Sequence, residues 1–108
     1  MENQLLELLE YRSVLGALTT SLDGLLVASV AVATEDAELI AASTAKHEDQ
    51  GDIGDSNYWT TSSEHGALHV TRGREMRLIV LSEPGIDQDS IRELMTGQLQ
   101  SIEDAISV

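Results

Sequence analysis

Three histidines, a run of acids and a small arginine cluster are the residues of this sequence best equipped for chemistry. His65 and His69 lie four apart, and His47 is the only other imidazole. On a strand, positions i and i+4 share a face but sit about 13 Å apart, too far to serve one metal as adjacent ligands. Solvent-facing histidines are therefore expected, and no metal. Asp49, Asp52, Asp55 and Asn57 could crowd oxygens in a loop, but the calcium-loop pattern fails at its second ligand position, where Gly51 stands. A solvated loop is the expectation. Arg72, Arg74 and Arg77 surround a tight turn and are expected to be solvated; on so acidic a chain they could also dock an acidic partner surface. Stabilising a phosphoryl transition state would require a positioned guanidinium, not merely an exposed one. There is no G-x-S-x-G elbow and no glycine-rich phosphate loop before a helix. Cysteine is absent, which removes disulfides, thiolate metal sites and a cysteine nucleophile, and suits a reducing compartment. No catalytic residue, cofactor or metal is expected.

The 108 residues fit one domain, 1–108, with a single core. With no phenylalanine, one tryptophan and two tyrosines, that core must be built of Leu, Ile, Val and Ala. The net charge of -13, from 19 acidic and 6 basic residues, argues against nonspecific attraction to nucleic acid or anionic lipid. Partners should instead be basic or apolar patches on proteins. The first residues, MENQLLELLEY, carry no positive region, and no apolar run approaches the roughly 20 residues that span a bilayer. The chain reads as soluble and cytoplasmic, without membrane insertion.

The elements that must position these residues follow from hydrophobic patterning. Ser13 to Val32 reads as a central hairpin, two apolar runs hinged on Leu22-Asp23-Gly24, where a type I′ turn would use the glycine's freedom at positive φ. Leu5, Leu6, Leu8 and Leu9 interleave with polar residues as a short first helix. A second helix is expected from about Glu35 to Lys46, capped by the Thr34 hydroxyl, before the polar stretch Ser43–Asn57 with Gly51 and Gly54. Tyr58–Ser62, Ala67–Arg72 and Met76–Ser82 read as strands, the last central because Leu78 to Leu81 are consecutive apolar residues. Ile91, Leu94, Met95, Gln98, Ile102, Ala105 and Ile106 give the clearest helical period, capped by Asp87 or Asp89. Gly97 within it costs about 1 kcal/mol relative to alanine and reads either as a mark of close contact with another element or as a neutral accident.

This order, α-β-β-α-β-β-β-α, together with DGLLVAS at Asp23 to Ser29 and the alanine-bearing Leu39-Ile40-Ala41-Ala42, resembles the Roadblock/dynein light chain family over nearly the whole chain. The resemblance implies an α+β, profilin-like sandwich: a five-stranded antiparallel sheet with the second helix on one face and the terminal helices on the other. It also implies a non-enzymatic scaffold that pairs as a homodimer, or with another Roadblock-type subunit, and regulates a Ras-like small GTPase. Carried onto this chain, the family's two-fold contact places Tyr58, Trp59 and Thr60 on the pairing edge strand and Ile40, Ala41, Thr44 and Ala45 at the helix contact. The second helix of many members continues for further apolar turns, whereas here the sequence gives way to His47-Glu48-Asp49-Gln50-Gly51. An uncharged edge strand favours pairing on physical grounds as well, since its free N–H and C=O groups seek partners. The alternative from another class is a small-molecule sensor, with the ligand held between the sheet and the second helix.

Overall fold

The computed structural model describes residues 1–49, 57–64 and 66–106. Eight elements follow one another: α1 (Glu2–Leu8), β1 (Val14–Ser21), β2 (Leu26–Val30), α2 (Thr34–Asp49), β3 (Tyr58–Ser63), β4 (Gly66–Arg72), β5 (Met76–Ser82) and α3 (Gln88–Ile106). The five strands form one antiparallel sheet in the order β2-β1-β5-β4-β3. This is the expected α+β sandwich.

The apolar pattern divides between the two faces with the two-residue period of the strands. Ala17 of β1 and Leu78 and Val80 of β5 face Leu5 and Leu8 of α1 and Ile91, Met95, Leu99 and Ile102 of α3. Leu18, Ile79 and Val70 face Ala37 and Ala41 of α2 on the other side. The terminal helices thus share one face, joined by the Gln98 amide, which donates to the Gln4 carbonyl and the Glu7 carboxylate at 2.9 Å each. Asp87 caps α3, accepting from the Asp89 N–H at 3.2 Å and the Ser90 hydroxyl at 2.7 Å.

Three expectations need correction, and one alternative is decided. Of the first hairpin only β1 is interior; β2 is an edge strand, and Leu25 and Val27 are exposed. Its turn is not type I′, because Gly24 alone takes positive φ (93°), at the fourth position of a turn closed by the Gly24 N–H on the Ser21 carbonyl. Thr34 is inside α2, since the Ala37 N–H bonds to the Ala33 carbonyl, and the helix continues through Asp49 instead of stopping near Lys46. Gly97 has no atom within 4 Å of where a Cβ would stand, so no close approach explains it.

Candidate protein-binding face

The body of α2 rests on β1 and β2. On the same face of β4 and β3 it covers Val70 but leaves Leu68 and Trp59 half-buried and Thr61 exposed, because small residues at Ala37 and Ala41 draw the helix close over one half of the sheet. Along the gap runs a series of open apolar hollows. One of 440 Å³ is bounded by Leu15, Leu39, Ile40 and Leu81. A second, of 360 Å³, touches Leu15, Thr61, Leu68 and Leu81. The third, 390 Å³, lies between Ser43, Thr44 and His47 of α2 and Trp59, Thr61 and Leu68 of the sheet. The gap opens onto β3, which ends the sheet with no further strand of the described residues beside it.

Glu48, on the last turn of α2, ties this region together. Its side chain is only 4% exposed, and its carboxylate accepts from the Arg77 Nε and Nη2 at 3.0 Å each, from the Trp59 indole N–H at 3.0 Å and from Arg72 at 3.3 Å. Burial alone would raise the Glu48 pKa, but the bonds from Arg77 and Trp59 and the charges of Arg77 and Arg72 hold it below the usual carboxylate value. Arg77 is itself buried and spends its remaining donors on the Thr20 hydroxyl and the carbonyls of Ser21 and Leu22. His47 leans on the Trp59 ring at 4.7 Å. Trp59 is thereby fixed at the sheet edge from two sides.

The other face of β3 and β4 carries a buried polar chain. His69, 1% exposed, sits between Ser82 at 2.8 Å from Nε2 and Tyr58 at 3.2 Å from Nδ1. Thr60 stands a further 3.3 Å from Nδ1, and the Ser82 and Thr60 hydroxyls also donate to the carbonyls of Glu83 and Leu68, at 3.1 and 3.0 Å. Burial raises the Tyr58 pKa, which keeps its hydroxyl protonated, and lowers that of His69, which keeps the imidazole neutral.

These arrangements revise the reading of the chemistry-bearing residues. His69 is buried and paired, not solvent-facing, while His65 and most of the acid run, residues 50–56, lie outside the described residues. Of the arginine cluster only Arg74 is well exposed, 3.5 Å from Asp104; Arg77 is structural.

The fold has known counterparts. The Roadblock/LC7 domain from Streptomyces avermitilis superposes with a TM-score of 0.87 at 18% identity, over 100% of this chain and 98% of that one. The chain has the Roadblock/LC7 fold. The gliding protein MglB from Thermus thermophilus shares it, with a TM-score of 0.76 at 15% identity over 90% of this chain and 81% of that one. So does an MglB in a tetrameric arrangement, with a TM-score of 0.79 at 14% identity over 93% and 82%. No protein-family model and no curated protein matches the sequence.

Within the Roadblock fold, the residues singled out from sequence divide into two groups. Tyr58, Trp59 and Thr60 do lie on an edge strand, with Trp59 turned toward α2 and Tyr58 toward the α3 face. Ala41, Thr44 and Ala45 are buried in the chain's own packing, and Ile40 is half-buried at the rim of the gap. The outward side of α2 is formed by Asp36, Leu39 and Ser43, with Leu39 67% exposed. Sequence reasoning missed Glu48 and read Arg77 and His69, both buried and bonded, as solvated. The alternation of β4 and β5 carried the signal, since Arg77 shares a face with Ile79 and Leu81 in a strand read as buried on both sides, and such a charge requires a partner.

Proposed function

We propose that this chain is a non-enzymatic, homodimeric Roadblock-type subunit whose dimer binds and regulates a Ras-like small GTPase. The observation that carries the reading is the partly covered sheet: a series of apolar hollows beside α2, with lining residues in common, that reaches an uncharged edge strand. A second copy related by a two-fold axis would pair β3 with β3 and fill each gap with the partner's Leu39 and Ile40 side of α2. Dimerisation would then remove the edge and the exposed apolar surface together. The likeness to Roadblock/LC7 domains and to MglB, one in a tetrameric arrangement, supports the assembly. The step to a small GTPase rests on the resemblance of DGLLVAS and the following helix to the family. A ligand between the sheet and α2 has less behind it, because among the described residues no buried unpartnered polar side chain lines that gap.

The deciding experiment is molar mass by size exclusion with light scattering across a wide concentration range. Wild type is compared with Trp59→Asp and, because Trp59 also holds Glu48, with Thr61→Arg at an exposed edge position. A dimer that both substitutions dissociate supports the interface, and a monomer at every concentration sinks it. The GTPase step is tested separately, by binding of purified small GTPases of the source cell loaded with GDP or a GTP analogue. Binding in neither state would overturn that step while leaving the dimer standing.

A further inference from the structure

The cations of this acidic chain are unevenly placed. Four of the six Lys and Arg residues, Arg72, Arg74, Arg77 and Arg92, gather around β3, the β4–β5 turn and α3. Arg77 and Arg74 are paired with carboxylates. Arg92 is not: among the described residues no carboxylate pairs with it, and its guanidinium lies over the Tyr58 ring, 5.1 Å from the centroid. That ring is anchored at its far end by the hydroxyl bond to His69. An unpaired arginine held on an aromatic platform, in a protein with 19 acids, is a cation kept available.

Beneath it is a cavity of 310 Å³ between α3 and the start of β3, lined by Tyr58, Thr71, Arg72, Arg92, Leu99 and Glu103. Thr71 is 6% exposed, and its hydroxyl has no hydrogen-bond partner among the described residues. An unsatisfied buried hydroxyl costs free energy, and the natural resolution is an occupant that supplies the missing bond. Thr71 and Arg92, which carry a hydroxyl and a guanidinium of the kind that hold an anion, thus line one hollow together with the apolar Leu99.

The charge of the occupant is limited by the other end of the hollow. Glu103 stands there, 4% exposed, its carboxylate fixed by the Glu75 N–H at 2.6 Å and pressed against Gly73, where a Cβ would lie 2.5 Å from Oε1. A dianion such as phosphate would meet this carboxylate and the chain's net negative charge; a monoanion with an apolar body would place its charge at Arg92 and its body on Leu99. The volume is at the lower end of ligand sites, which run from about 300 to 1,000 Å³, and suits a small molecule.

We propose that the cavity between α3 and the β3–β4 hairpin binds a small monocarboxylate, with its carboxylate on the Arg92 guanidinium and the Thr71 hydroxyl. This site lies on the face of the sheet opposite the dimer gap and is independent of the small-GTPase reading. A water molecule alone at Thr71 is the competing occupant.

The test is an NMR titration of the whole ¹⁵N-labelled chain with butyrate, with acetate and inorganic phosphate in parallel and chloride at matched ionic strength. Saturable shifts of the Thr71 and Arg72 amides and the Arg92 Nε–H are expected with butyrate, weaker with acetate and weakest with phosphate. Thr71→Val and Arg92→Gln should each weaken butyrate binding about fivefold or more, as loss of one hydrogen bond requires, and Thr71→Ser should restore it. The spectra themselves report whether each variant is folded, and Thr71→Ser keeps the hydroxyl if valine is not tolerated. Shifts that rise linearly and match those from chloride would mean that the hollow holds only water, and the proposal would be wrong. Tighter binding of phosphate than of butyrate would overturn the monocarboxylate assignment.

Discussion

The Glu48 carboxylate and the Arg77 guanidinium meet at 3.0 Å where neither side chain is more than 4% exposed. The pair joins the last turn of α2 to the middle strand of the sheet, and through the Trp59 indole it also reaches the edge strand. It is the only point among the described residues where one side chain of α2 bonds to both β3 and β5 side chains. Each partner keeps other bonds when one is removed, Glu48 those of Arg72 and Trp59, Arg77 those of Thr20, Ser21 and Leu22.

Glu48→Gln and Arg77→Met are accordingly expected to destabilise the fold by about 3 kcal/mol each, at the lower end for breaking a buried pair. The double variant should lose clearly less than the sum. Urea unfolding of the four proteins gives the coupling, and simple additivity would show that the pair is not a unit.

Stability should fall in two stages as pH decreases. His69 has a folded-state pKa below its ordinary value of 6.5, so above pH 6.5 both folded and unfolded chains are neutral there and the full stability is present. Below 6.5 the unfolded chain takes up the proton first, and stability declines until the folded pKa is passed. Glu48, depressed from 4.5, adds a second decline below that pH, as its carboxylate must be protonated. The urea midpoint measured against pH tests this, and His69→Gln should flatten the upper stage alone.

Two glycines should respond in opposite directions. Gly97→Ala fills empty space on an exposed helix position and should stabilise by about 1 kcal/mol. Gly24→Ala should destabilise by roughly 2 kcal/mol, because its φ is 93° and the new Cβ would lie 2.8 Å from that of Ala45. Thermal melts of the two variants decide the sign of each.

Trp59 is the sole tryptophan and stands half-buried at the edge. Burial by a second copy should shift its emission to shorter wavelength as concentration rises, in step with the mass measured by light scattering. Thr61→Arg should abolish the shift without changing the emission of the dilute protein.

Much of this architecture is legible in the sequence wherever a period decides it. The α3 stripe, the β3–β4–β5 meander and the interior position of β5 follow from runs such as Leu78 to Leu81. What is not legible depends on which strands become neighbours. The apolar run of β2 reads like an inner strand, yet only the insertion of β5 beside β1 puts β2 at the rim. The end of α2 is hidden for a similar reason, since His47-Glu48-Asp49 looks like a loop until Arg77 and Trp59 arrive to bond Glu48. The small face of α2 reads as able to approach either a sheet or a second helix, and the burial of Ala41 and Ala45 shows close approach to the chain's own sheet and to Gly24.

The pairing of β1 with β5 also governs how the protein comes into being. Val14 waits for Ser82, and Ser21 for Met76. The hairpin β1–β2 and the meander β3–β4–β5 are local and can form early, but the seam that unites them closes a long stretch of chain, so it is the slow, entropy-limited event of folding. Until β5 has left the ribosome, β1 presents a bare apolar rim. A stall in synthesis before Met76 would leave the β1–β2 and β3–β4 hairpins without the strand that joins them, each seeking any edge that fits it.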